Sequence, residues 1–316
     1  METITLGQNG LAVPPVCIGT WAWGDKVFWN YGSDYDSKQL KEAFNAALEV
    51  GTNFFDTAEI YGLGQSEEFL GQFMQQSDKT VQIATKFGPL PWRFSAQSVS
   101  DALTDSLKRL QVEQVALYQV HWPFSFLMSQ ETLMNALADE YKRGRIAAIG
   151  VSNYSAEQMR EAHKILADRG VPLAVNQVRY SLLTRQIEKS GITDTAKQLG
   201  VTLLAYSPLA QGRLTGKYRP DSNQKPTGAR AFDPQFSQAG LQKIEPVVSM
   251  LRQIGDLRDR TPAQVALNWL IAQGNVVAIA GAKTAQQVQQ NAGALGWRLT
   301  DDEIAKLEQV SRPWQN

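Results

Sequence analysis

The sequence predicts an α/β protein: a (β/α)8 TIM barrel with an N-terminal β-hairpin and extra C-terminal helices, a single domain over residues 1–316. Three observations carry this expectation. Eight short apolar runs recur along the chain, and a stretch of helical apolar spacing follows each of them. Regular β–α alternation implies parallel strands. Eight such repeats in 316 residues fit a closed barrel better than an open sheet, and 43% hydrophobic content is ample for its core.

Residues 3–13 read as a hairpin, with a turn at Gly7-Gln8-Asn9-Gly10 and a stop at Pro14-Pro15. Val16 to Trp21 is the first barrel strand, and a Gly- and aromatic-rich loop runs on to Gly32. From Ser37 to Val50, Leu40, Phe44, Ala47 and Leu48 fall at helical spacing, with Asp36 or Ser37 as the cap. Strand 53–56 precedes a helix over 66–76, strand 81–85 a helix over 98–110, and strand 115–120 a helix over 131–143 ended by Gly144. Strand 146–151 leads to a helix capped by Ser155 and running to Arg169. Strand 172–178 leads to a short helix over 192–199, ended by Gly200. After strand 201–206 a connection of roughly 25 residues begins at Ser207, long enough in a compact domain to suggest a function. A helix over 241–258 follows, and Thr261-Pro262 opens another with proline at its first position. Strand 275–280, a helix over 284–292 and a capping box at Thr300 to Glu303 complete the chain.

Lys+Arg and Asp+Glu both number 31, so no net field favours nucleic acid or a membrane surface. Cys17 is the one cysteine, which excludes an intrachain disulfide and a cysteine zinc site, and no metal is expected. The N-terminus has neither the basic nor the apolar region of a signal peptide, and no apolar run reaches transmembrane length. The expectation is a cytoplasmic protein with a small-molecule substrate and no marked obligate protein partner.

The chemistry gathers at strand ends. Asp56 closes the run Asn53-Phe54-Phe55-Asp56, Lys86 follows Val81 to Thr85, and His121 follows Val115 to Val120. Tyr61 lies in the loop beyond Asp56. In a barrel of parallel strands these four converge on the carboxyl-terminal face, where such barrels build their active sites. Lys86 beside Tyr61 would favour phenolate and lower the tyrosine's pKa, and Asp56 would keep Lys86 charged. A phenol next to an imidazole is a good proton donor to a developing alkoxide. No side chain supplies a hydride, so a reductase needs a nicotinamide. Taken singly, each residue has a plainer role: Asp56 as a helix cap, Tyr61 and Lys86 as solvated surface groups. His163, the second histidine, sits in a charged stretch and reads as solvated.

The segment Phe55-Asp56-Thr57-Ala58-Glu59-Ile60-Tyr61-Gly62 resembles the Asp-Thr-Ala-x-x-Tyr-Gly segment of the aldo-keto reductases, NADPH-dependent carbonyl reductases on (β/α)8 barrels. Ser106-Leu107-Lys108-Arg109-Leu110, Ile149-Gly150-Val151-Ser152-Asn153 and Ala205-Tyr206-Ser207-Pro208-Leu209 are further marks, and the resemblance covers nearly the whole chain. The loop with Trp29-Asn30-Tyr31-Gly32 is similar to bacterial and plastid members.

The resemblance implies that Tyr61 is the general acid, Asp56 and Lys86 its tuners, and His121 the residue that orients the carbonyl. It implies that NADPH/NADP+ meets Ser152, Asn153 and Gln177 through its carboxamide and Tyr206 through its ring. Ser207, Pro208, Leu209, Gln211 and Lys217 match the pyrophosphate stretch, and the long connection from Ser207 would fold over it. Gly281, Lys283 and Thr284, with Gln287, Gln290 and Asn291, match the 2′-phosphate segment; a lysine at a helix N-terminus suits a phosphate. Thr20, Trp21 and Asp56 complete the implied contacts. Two departures stand out: Ile279-Ala280-Gly281 replaces a common Ile-Pro-Gly, and Gln287 replaces a common basic residue. Lys283 as the main cation favours NADPH with weaker discrimination against NADH. Trp21, Trp23, Trp29, Trp92 and Trp122 are expected at the pocket mouth, suited to flat aldehydes. Pyridoxal and methylglyoxal are among the open substrates. Two other readings stand beside the reductase: a cofactor-holding regulatory subunit resembling potassium-channel β-subunits, and a Schiff-base aldolase with Lys86 as nucleophile.

Overall fold

Eight parallel strands close a barrel in the order β10-β3-β4-β5-β6-β7-β8-β9. The computed structural model describes residues 2–8, 10–123, 128–221 and 224–315; Asn9 of the expected hairpin turn, and Ser222 and Asn223 of the long connection, lie outside them. The strands are β3 (Val16–Gly19), β4 (Phe54–Asp56), β5 (Gln82–Phe87), β6 (Leu117–Val120), β7 (Ile149–Ser152), β8 (Leu173–Arg179), β9 (Thr202–Tyr206) and β10 (Val276–Gly281). An antiparallel pair precedes them, β1 (Ile4–Thr5) with β2 (Ala12–Val13).

Helices α1 (Ser37–Glu49), α2 (Gln65–Met74), α3 (Ala96–Leu110), α4 (Gln130–Lys142) and α5 (Ala156–Asp168) follow the first five barrel strands. A short α6 (Gln186–Lys189), not foreseen in the sequence, precedes α7 (Ile192–Leu199). Next come α8 (Gln238–Asp256), α9 (Pro262–Ile271) and α10 (Ala285–Ala292), and α11 (Asp301–Ser311) packs on α8 as the extra C-terminal helix. Their starts obey local chemistry. Asp36, Ser155 and Thr300 each form a capping box with the residue three places on, satisfying amides that the first helical turn leaves unpaired.

Three expectations shift. Val115 and Ile146 pair only as an isolated bridge, so β6 and β7 begin two and three residues later than their apolar runs. The connection after β9 is not structureless: 3-10 turns form at Ala210–Thr215, Gly228–Phe232 and Pro234–Phe236. His163 is half-buried on α5 rather than solvated, and its Nδ1 is buried without a partner.

Side chains alternate along a strand, so every second residue faces the barrel interior. Cys17, Phe54, Ala84, Leu117, Val175, Leu204 and Val277 form one buried apolar cluster with Leu6 and Val13 of the hairpin. The hairpin thus closes the amino-terminal end of the barrel. Burial holds the Cys17 thiol well above its usual pKa, so it stays protonated. Among the described residues no helix is long and apolar enough to cross a membrane.

Candidate active site

Two residues beyond that apolar layer, on the same face of the same strands, the interior turns polar. Phe54 gives way to Asp56, Ala84 to Lys86, Leu117 to Gln119, Val175 to Gln177 and Leu204 to Tyr206. Strand periodicity alone therefore brings the polar set to one level, at the carboxyl end of the barrel.

Lys86 is fully buried, and its Nζ donates to Asp56 Oδ1 at 2.5 Å and to the Thr57 carbonyl at 2.7 Å. The other carboxylate oxygen, Oδ2, accepts from Gln119 Nε2 at 3.1 Å and from Gln177 Nε2 at 2.8 Å. Lys86 Nζ lies 5.0 Å from the centre of the Tyr61 ring, and the Tyr61 and His121 rings meet edge to face at 5.8 Å. His121 follows β6, its backbone N–H held by the Phe87 carbonyl at 2.9 Å.

Tyr61 opens a tight 3-10 turn, Tyr61–Gly64, in which Gly62, Leu63 and Gly64 all have positive φ. Side chains at Gly62 or Gly64 would be doubly wrong. The φ values are left-handed, and a Cβ would fall 3.1 Å from the Gly24 backbone or 2.9 Å from Arg109 Cδ. On the other flank, Glu59 clamps the segment to the loop after β5. It accepts from the Gly88 N–H at 2.6 Å and forms a two-pronged ion pair with Arg93, one prong of 2.9 Å between Nη2 and Oε2.

Burial raises the Tyr61 pKa above that of a free tyrosine, which corrects the expectation of a lowered value. Lys86 pulls the other way, as foreseen, but desolvation of the phenolate is the larger effect. Burial alone would lower Lys86, yet Asp56 and Tyr61 outweigh it and the ammonium pKa rises. His121 is pushed down to about 3, by burial first and then by the Lys86 charge, so its ring is neutral. Its Nδ1 is buried without a partner, which leaves Nε2 to meet the cavity that His121 lines.

That cavity measures about 950 Å³, at the upper end of the ~300–1,000 Å³ usual for small-molecule and cofactor sites. Asp56, Tyr61 and His121 line it together with Thr20, Trp21, Ser152, Asn153, Gln177, Tyr206, Ser207, Pro208, Leu209, Gln211, Lys217, Gly281, Lys283, Gln287, Gln290 and Asn291. Two expected residues do not. Lys86 lies beneath the floor, and Thr284 caps α10, accepting from the Gln287 N–H at 3.3 Å. Of the five tryptophans, Trp21, Trp29 and Trp122 line the cavity. Trp23 is instead core, its indole donating to the Ala282 carbonyl at 2.9 Å, and Trp92 is 67% exposed and away from the cavity.

The walls near β7 to β9 are cross-braced. Asn153 Nδ2 donates to the His121 carbonyl at 3.1 Å, its Oδ1 accepts from Tyr206 at 3.0 Å, and Ser152 donates to the Gln177 carbonyl at 2.9 Å. Asn153, Ser207, Ala210 and Gln211 all hold positive φ without being glycine. Such strain concentrates where a surface must meet a ligand.

Sequence reasoning did not single out two residues that the structure brings to the site. Gln119 was legible in principle: it stands two residues past Leu117 and beside Lys86 in register. Arg230 carried no sequence signal, because the connection after β9 folds it back over Trp29, its guanidinium 4.5 Å from the ring. Lys283 flanks the same ring at 5.7 Å and Tyr35 at 4.3 Å. Arg230 is 7% exposed with its Nε unpartnered, and neither cation forms an ion pair among the described residues. Around Trp29 the cavity wall thus carries an unpartnered donor and two cations, a set that fits a phosphate. Asp34 lines the cavity too, held by Thr227 at 2.7 Å and Asn30 at 2.8 Å.

The family model described as Aldo/keto reductase family matches residues 15–312. The chain is 42% identical over 314 residues to the chloroplastic pyridoxal reductase of Arabidopsis thaliana, covering 96% of this chain and 84% of the relative. It is 31% identical over 277 residues to the aldo-keto reductase yakc [NADP(+)] of Schizosaccharomyces pombe, covering 84% of this chain and 80% of the relative. Among solved structures, the glycerol dehydrogenase AKR11B4 from Gluconobacter oxydans superposes with a TM-score of 0.86 at 30% identity, covering 100% of this chain and 97% of that one. Barrel, strand-end constellation and relatives agree, and the chain belongs to the aldo/keto reductase family of oxidoreductases.

Proposed function

We propose that the protein reduces aldehydes and ketones to alcohols with NADPH, Tyr61 acting as general acid. The observation that carries this reading is one cavity with two chemically different ends: Tyr61 and His121 above the buried Lys86–Asp56 pair, and Lys283 with Arg230 at the other. In it, Ser152, Asn153 and Gln177 hold the carboxamide and Tyr206 packs on the ring. The segment from Ser207 to Gln211, with Lys217, follows the pyrophosphate. Lys283, Arg230 and the start of α10 take the 2′-phosphate, charge against charge. When bound, the reduced nicotinamide supplies the hydride that no side chain can.

The chain's own residues do the rest. Neutral His121 donates from Nε2 to the substrate carbonyl oxygen and fixes its position. Tyr61, still protonated because burial holds its pKa up, gives its phenol proton to that oxygen as negative charge develops. Lys86, kept charged by Asp56, stabilises the phenolate left behind, and solvent returns the proton. Lys86 is no aldolase nucleophile in this arrangement: it is walled off from the cavity and its raised pKa keeps the amine protonated. Trp21, Trp29 and Trp122 favour a flat substrate, and with the plastid pyridoxal reductase as relative, pyridoxal is the first aldehyde to try.

The test follows loss of nicotinamide absorbance with pyridoxal and a panel of small aldehydes, with Tyr61→Phe beside the wild type. Turnover that falls ~10²–10⁴-fold in Tyr61→Phe, with NADPH binding retained, is the expected result. Full activity in Tyr61→Phe would sink the mechanism. Tight NADPH binding without turnover of any carbonyl would favour the regulatory subunit.

A further inference from the structure

Among the described residues, Gln119 is a buried side-chain amide of the barrel for which the mechanism above has no use. Gln119 is fully buried and is not among the residues that line the active-site cavity. Both ends of its amide are committed: Nε2 donates to Asp56 Oδ2 at 3.1 Å, and Oε1 accepts from Gln177 Nε2 at 3.1 Å. Gln177 also donates to Asp56 Oδ2 at 2.8 Å, so three side chains from β4, β6 and β8 close a triangle. The barrel makes room for it. A Cβ on Gly150 would fall 2.9 Å from Gln119 Cγ and 2.4 Å from Val175 Cγ2. An apolar side chain would fill this space without needing hydrogen-bond partners, whereas a buried amide must be bonded at both ends.

We propose that Gln119 is a positioning residue that ties Gln177, at the nicotinamide end of the cavity, to the Asp56–Lys86–Tyr61 proton-donating group, so that cofactor binding and the acidity of Tyr61 depend on each other. This rests on the reductase reading above. Gln177 lines the cavity, and its Oε1 accepts nothing from the described residues, which leaves it for a carboxamide N–H. Its Nε2 ends on the carboxylate that holds Lys86. Without Gln119, Gln177 loses an acceptor and Asp56 Oδ2 a donor. The carboxylate charge is then dispersed less and leans harder on Lys86, which weakens the positive field at Tyr61. The groups facing Tyr61 are Lys86 on β5, Asp56 on β4, Tyr206 on β9 and His121 after β6.

The experiment compares wild type, Gln119→Met and Tyr61→Phe. It reads NADPH affinity by tryptophan fluorescence across alkaline pH, and the pH profile of kcat and kcat/KM with an aldehyde. In Gln119→Met we expect NADPH affinity to fall about 2- to 10-fold, as for loss of a neutral hydrogen bond. We also expect kcat to fall and the alkaline limb to move to higher pH. An unchanged limb and affinity, with only thermal stability lowered, would make Gln119 a packing residue and overturn the proposal. Should Gln119→Met not fold, the wild type decides. Reciprocity requires an alkaline dependence of NADPH affinity larger in the wild type than in Tyr61→Phe, which keeps only the part due to Lys283, and identical dependences in the two would also overturn it. Wild-type turnover in Tyr61→Phe would refute the reductase mechanism itself, whereas an inactive Tyr61→Phe beside an unaltered Gln119→Met refutes only the link.

Discussion

Lys86 Nζ stands 2.5 Å from Asp56 Oδ1, and both side chains are buried. Neither charge could remain there alone, because desolvating one without its partner costs more than the rest of the site returns. Asp56→Asn is therefore expected to destabilise the fold by about 3–5 kcal/mol, measured by urea unfolding. Asp56→Asn with Lys86→Met should recover much of that stability and none of the activity. Equal stability of the single and double variants would show that the pair is not the cause.

Reductase activity should persist to high pH. The phenol must carry its proton to act, and burial raises its pKa above the ordinary value of 10.0. Activity is thus present below that raised value and lost as pH rises through it. A kcat/KM profile falling well below pH 10 would indicate a different acid.

His121 sets an acid limit on stability. Its folded pKa of about 3 lies below the ordinary imidazole value of 6.5, so between these the unfolded chain binds the extra proton. Stability from this group is complete above about pH 6.5 and declines as pH falls toward 3, by at most about 1.4 kcal/mol per pH unit. His121→Gln should flatten that slope in urea titrations.

Arg230 and Lys283 should together set the preference for NADPH. Arg230→Ala is expected to weaken NADPH binding about 10- to 100-fold, the range for a charged hydrogen bond, and to leave NADH nearly unchanged. Lys283 has a lowered pKa, through burial first and the nearby Arg230 second. NADPH affinity should accordingly decline with rising pH below Lys283's ordinary 10.5, and NADH affinity should not follow it. Titration calorimetry with both dinucleotides distinguishes the cases; parallel losses would place neither cation at the 2′-phosphate.

The barrel was legible because each strand is a contiguous apolar run, and because alternation carries Asp56, Lys86 and His121 to one end whatever their neighbours do. Trp23 and Trp92 were misjudged for a common reason. A tryptophan after a strand can turn inward, as Trp23 does to reach the Ala282 carbonyl, or outward, as Trp92 does, and sequence spacing does not choose between them. Arg230 was invisible because its place depends on the return path of a long connection over Trp29, a contact about 200 residues apart in sequence. The direction of the Tyr61 pKa was misjudged since a charged neighbour can be read from sequence but depth of burial cannot.

The clamp of Glu59 on Arg93 and the Gly88 N–H bears on how this protein could change over time. Tyr61 rides on a segment braced from outside the cavity, while Trp21, Trp29 and Trp122 belong to other loops that share none of those bonds. Replacements in those loops can therefore reshape which carbonyl compounds are accepted without shifting the phenol. New substrates become reachable by drift at the rim, with the reaction itself inherited intact.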